Sequence, residues 1–99
     1  MNEVTIGGVR MSALASRVIG PFGVRRVYND FHDAYDAILA RDGVLISCTT
    51  RAEAMEVYKQ WLLKSCLAHA SSEEEVRGWH EYADALAEAV KHEITRWDT

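Results

Sequence analysis

The sequence predicts an α+β domain dominated by helices: a small two- or three-stranded sheet packed on one helix and on a long C-terminal antiparallel helix pair. Three observations carry this expectation. A Gly7-Gly8 pair sits between short β-prone runs, an apolar run at Val44–Cys48 is bounded by turn residues, and long helical patterns follow Thr50. At 99 residues the chain is read as a single domain, residues 1–99.

Taken in order, Val4-Thr5-Ile6 and Val9-Arg10-Met11 flank the glycines as a hairpin, because Gly supplies the positive φ that a two-residue turn requires. Ser12 then caps a short helix, Ala13 to Ile19, which Gly20-Pro21 ends. Val24-Arg25-Arg26-Val27-Tyr28 has the branched and aromatic content of a strand. Asp30 is placed to cap a helix whose Phe31, Ala34, Tyr35, Ile38 and Leu39 recur on one face, with Asp42-Gly43 as its stop. Val44–Cys48 reads as a buried strand, which with Val24–Tyr28 forms a β-α-β unit.

Thr50-Arg51-Ala52-Glu53 matches a capping box and opens a helix to about Ala70. Met55, Tyr58, Leu62 and Cys66 mark one of its faces, while Trp61, Leu63 and Leu67 fall on others, so it is expected to be the central helix. Ser72-Glu73-Glu74-Glu75 opens the last helix. Its apolar positions Val76, Trp79, Ala83, Leu86, Val90, Ile94 and Trp97 form a narrow, heptad-like seam. The short link from His69 to Ser72 makes the last two helices an antiparallel hairpin.

Composition narrows the function classes. With 48% apolar residues, 26% charged and one Pro, the chain has the makings of a core rather than of a disordered segment. No apolar run approaches the roughly 18–20 residues of a membrane span. Residues 1–11 lack the basic-then-apolar order of a secretory signal. Cys48 and Cys66 are too far apart for a CxxC site and too few for a disulfide framework, which points to reduced thiols and the cytoplasm. Charge is uneven: residues 1–29 carry net +3, residues 30–70 net −2 and residues 71–99 net −5, for −4 overall. An acidic C-terminal third argues against broad nucleic-acid binding.

Chemistry-bearing patterns are sparse. His80 with Asp84, and Glu88 with His92, are i, i+4 pairs of the kind that hold a divalent ion, but such pairs are also ordinary surface contacts, and no metal site or cofactor is expected. Cys48 ends the expected strand before a helix N-terminus, a placement that hosts nucleophiles, but a Cys ending an apolar strand is more often a small core residue. No GxSxG, HExxH, GxGxxG or GxxxxGK[ST] is present, and no catalytic residue is assigned.

The expected function is therefore a non-enzymatic protein-binding module, a small accessory or inhibitory protein acting as a homodimer or on another protein. Trp61 and Leu63 are the expected apolar anchors, on a helix with more apolar surface than one small domain covers. Glu74, Glu81 and Glu88, seven residues apart, and Asp84 beside them form an acidic stripe that tunes partner choice, or mimics spaced phosphates. The alternative class is a DNA-binding regulator that touches phosphate through Arg25 and Arg26.

Overall fold

The computed structural model describes residues 5–6, 9–20, 23–40 and 43–98. Within them the architecture is made by four α-helices, α1 (Ala13–Ile19), α2 (Gly23–Ala40), α3 (Arg51–Leu67) and α4 (Glu73–Asp98). Strand is confined to β1 (Thr5–Ile6) and β2 (Val9–Arg10), antiparallel, with Thr5 opposite Arg10 and Ile6 opposite Val9. Two rungs are no layer on which helices can pack. The fold is essentially all-helical, and the expected α+β class is corrected accordingly. The expected turn at Gly7-Gly8, Pro21 and Asp42 lie outside the described residues, as does the side chain of Trp97.

Both strands of the expected β-α-β unit are helical. Val24–Tyr28 is the start of α2, which runs unbroken through Asn29-Asp30. The β-branched residues there oppose helix by only tenths of a kcal/mol each, and burial of Gly23, Val27, Ala34 and Ile38 on one face of a continuous helix outweighs that. Asp30 does not begin the helix. It sits mid-helix, where its carboxylate accepts hydrogen bonds from Tyr82 and Arg26. Val44–Cys48 falls largely in a 3-10 turn, Gly43–Ser47, which buries Leu45 and Cys48 three residues apart and leaves Ile46 75% exposed. A buried strand would need a partner strand, and the described residues offer none at this point.

The helix ends follow local chemistry. Ser12 Oγ accepts from Ala15 N at 3.1 Å to start α1, and Gly20 closes it at φ +77°, a left-handed conformation that costs a glycine little. Thr50 and Ser72 cap α3 and α4 by accepting from Glu53 N and Glu75 N, each at 3.1 Å. The two glutamates reach back one residue beyond the cap. Glu53 accepts from the Thr49 N–H and hydroxyl, and Glu75 from the Ser71 N–H and hydroxyl.

The centre of the molecule is α4 rather than α3. It packs against α1, α2 and α3, with α3 as its hairpin partner. Its buried face is wide, holding Tyr82, Ala83, Leu86, Ala87, Ala89 and Val90. The alanines let neighbouring backbones come close, which a seam drawn through the large residues alone does not reveal. Gly78 takes this furthest: a Cβ there would stand 2.8 Å from the Leu14 carbonyl oxygen and 2.6 Å from Val18 Cγ1, so its lack of a side chain sets the α1–α4 approach.

Candidate functional site

Among the described residues, one face of α2 has no partner. At about 100° per residue, Val24, Tyr28, Tyr35 and Leu39 fall within an arc of about 60°, beside the buried face. Val24 is 72% exposed, Tyr28 62% and Leu39 39%. Between them runs a chain of rings. Tyr28 lies 4.3 Å from His32 between centroids, Phe31 5.9 Å from His32 and 6.2 Å from Tyr35. Phe31 and Tyr35 are half-buried against the core, so the face is anchored below and open above. An apolar stripe along four turns of helix is the kind of surface that a soluble chain covers with another molecule.

What points this face outward is a polar cluster on the opposite side of α2. Tyr82 of α4, wholly buried, donates its hydroxyl hydrogen to the Asp30 carboxylate. Burial, and then the Asp30 hydrogen bond, push the Tyr82 phenol far above its ordinary pKa, so it remains a donor at every working pH. Arg26 pairs with Asp30 at 3.4 Å, lies 4.9 Å from the centre of the Trp79 ring, and donates from Nη2 to Cys66 Sγ at 3.6 Å. Arg26 and Asp30, one turn apart on α2, are thereby tied to α3 and α4. Rotation of α2 about its axis would break the whole set.

The cluster ties α2 to α3 and α4. Burial raises the Cys66 thiol above its ordinary pKa, which keeps it protonated and a poor nucleophile. Cys48 is buried too. Among the described residues no group of three or more His, Cys, Asp and Glu is placed to hold a metal ion, and no helix is long and apolar enough to cross a membrane.

The residues singled out in the sequence are scattered. Trp61 is 48% exposed on α3, tilted against Tyr58 with centroids 6.4 Å apart. Leu63 is buried, a correction to its expected role as an anchor: the surplus apolar surface of α3 turns inward at this position. Two of the four residues of the acidic stripe are engaged by bases within the fold. Glu74 pairs with Arg17 of α1, and Asp84 with Lys59 of α3 at 3.3 Å. Lys59 and Lys91 also hold Glu56, at 3.0 and 2.7 Å. Glu88 remains exposed and Glu81 partly so. Arg25 is exposed, whereas Arg26 is committed to Asp30, Trp79 and Cys66, so the two do not present a basic pair.

Among the described residues the surface also carries open grooves, including two beside α4. One, of about 410 Å³, lies between α1 and the start of α4, and the bonded pair Arg17 and Glu74 line it. His69, Ser72 and Glu75 meet there, but Ser72 caps α4 and Ser71 occupies the Glu75 carboxylate, so the trio is not a nucleophile with its base. The other, of about 530 Å³, lies between the start of α3 and Lys91, Ile94 and Thr95 of α4.

Reading Val24–Tyr28 as a strand hides Val24 and Tyr28, and placing Leu39 on the buried stripe of the helix hides its exposure. The signal is present nevertheless: the i, i+4 spacing that marks the helix after Phe31 continues backward through Tyr28 to Val24. Comparison with known proteins finds no matching family model, no matching curated protein and no matching solved structure.

Proposed function

We propose that the chain is a non-catalytic protein-binding module that docks through the outward face of α2. The observation that carries this is the stripe of exposed Val24, Tyr28 and Leu39 with half-buried Tyr35 between them, on a helix whose orientation is held from behind by Tyr82 and Arg26. A rigid apolar face costs little entropy to bury, which is what a binding surface requires. Aromatic rings at its centre are suited to serve as anchors. In such a protein Trp61 is a secondary contact and the exposed Glu88 belongs to the polar rim. Its size suits an accessory or inhibitory role, occupying or bridging a partner. Cys48 and Cys66 are buried and not joined in a disulfide, which accords with a reducing compartment such as the cytoplasm.

Photo-crosslinking in cells that make the protein tests this. With Tyr28 replaced by benzoylphenylalanine, irradiation is expected to yield a covalent adduct with a protein chain, whereas the same group at exposed His80 yields none. No adduct from position 28, or equal adducts from both positions, overturns the reading.

A further inference from the structure

The stripe on α2 reads the same from either end. Aliphatic Val24 and Leu39 are outermost, the phenols of Tyr28 and Tyr35 lie inside them, and the Phe31 and His32 rings are at the centre. Each pair is symmetric about the same point, midway between Phe31 and His32. A surface with this property is complementary to itself under a two-fold axis, which pairs each residue with its counterpart.

The flanking charges come close to the same symmetry, their midpoint lying one residue from that of the stripe. Arg25 and Asp36, both exposed, border the stripe on one side, at about 100° and 120° round the helix from Val24. In an antiparallel two-fold pair, each flank meets the same flank of the other copy. Arg25 then lies within two residues, about 3 Å along the axis, of the partner's Asp36. In a parallel pair the like charges would stand level, and the flank would face the partner's apolar body. The helix dipoles also favour the antiparallel arrangement.

Resting on the docking-face reading above, we propose that the occupant of this face is a second copy of the chain, its α2 antiparallel to the first, with Arg25 of each copy paired to the partner's Asp36. Val24 then packs on the partner's Leu39, and Tyr28 on the partner's Tyr35. The stripe is about 22 Å long and one helix wide, smaller than the roughly 800 Å² per partner of a standard interface, so the association is in the micromolar range or weaker.

Sedimentation equilibrium of the purified chain, in a concentration series extending well above the micromolar range, tests the pairing. The mass is expected to rise from 11.2 kDa toward twice that value. Arg25→Asp is expected to weaken association about tenfold, and Arg25→Asp with Asp36→Arg in the same chain to restore it, because both cross-pairs are then reversed rather than lost. Val24→Cys with Leu39→Cys links two copies on oxidation, whereas Val24→Cys alone does not. A chain that stays at 11.2 kDa throughout overturns the proposal, as do a swap that fails to restore association and self-linking by Val24→Cys alone. The crosslink from position 28 separates the two levels: an adduct only with a different protein overturns the second copy and keeps the docking face, and no adduct removes the face itself.

Discussion

Tyr82 and Asp30 are joined across the α2–α4 interface by a hydrogen bond from a wholly buried phenol to a carboxylate, and that bond acts with the buried Val27, Ala34 and Ile38 to hold one side of α2 inward. Tyr82→Phe removes the donor and keeps the ring. A lost bond to a charged acceptor costs about 1.5–3 kcal/mol, and because Arg26 still holds Asp30 the expected loss is toward the lower end, about 1.5 kcal/mol. Urea denaturation checks it, and a midpoint unchanged from the parent chain contradicts it.

Gly78→Ala sets helix propensity against packing. In an isolated helix the change gains about 1 kcal/mol. Here the new Cβ meets the Leu14 carbonyl oxygen at 2.8 Å, and a backbone atom does not swing aside as a side-chain tip does. Overpacking of this kind costs typically 1–3 kcal/mol, so the net effect is destabilisation, with α1 displaced from α4. A higher melting temperature for Gly78→Ala would show that the two helices do not approach this closely.

Residues of the docking face and of the core are expected to respond in opposite ways. Val24→Glu changes stability by no more than about 0.5 kcal/mol, since an exposed side chain away from caps and networks contributes little to folding. Leu63→Ala, on the neighbouring α3, costs about 2–4 kcal/mol because it empties a buried site. Chemical denaturation of the two variants settles the contrast, and a large loss in Val24→Glu places Val24 in the core instead.

The helix caps give stability an acid limb. Hydrogen bonds from the Thr49 hydroxyl and N–H lower the pKa of Glu53, and those from the Ser71 N–H and hydroxyl lower that of Glu75, below the ordinary glutamate value of 4.5. A carboxylate whose pKa is lowered by folding contributes stability that is complete above its unfolded value. That contribution is lost as pH falls through the folded value. Both groups are exposed, so the effect is modest. Glu53→Gln with Glu75→Gln keeps an acceptor oxygen at each cap but no titration, and is expected to flatten the stability profile below pH 4.5. An unchanged profile contradicts the assignment.

The sequence discloses the parts of this fold that local chemistry decides. Ser12, Thr50 and Ser72 mark their helix starts, because a short side-chain oxygen before a helical pattern has one good use. The hairpin of α3 and α4 follows from the short link between their periodic stretches. What misleads is competition between local preference and long-range contact. Asp30 resembles a cap until Tyr82, 52 residues away, supplies a hydrogen bond mid-helix. Val44–Cys48 resembles a strand, but a run bracketed by helices, with no strand to pair with among the described residues, turns as 3-10 and exposes Ile46. The exposed stripe of α2 is obscured in the same way, since dividing α2 at Asp30 separates Val24 and Tyr28 from Tyr35 and Leu39. The acidic row on α4 was visible as a pattern, whereas the Arg17 and Lys59 that engage it come from other helices and show no fixed spacing to it.

The size of the native particle tests the docking face most directly. In an extract of cells treated with a crosslinker before lysis, so that associations of micromolar strength survive dilution, gel filtration with immunodetection is expected to place the chain well above 11.2 kDa, and a folded Val24→Glu, Tyr28→Glu chain at the monomer position. Elution of both at the monomer position, or of both in the same larger particle, contradicts a docking role for this face of α2.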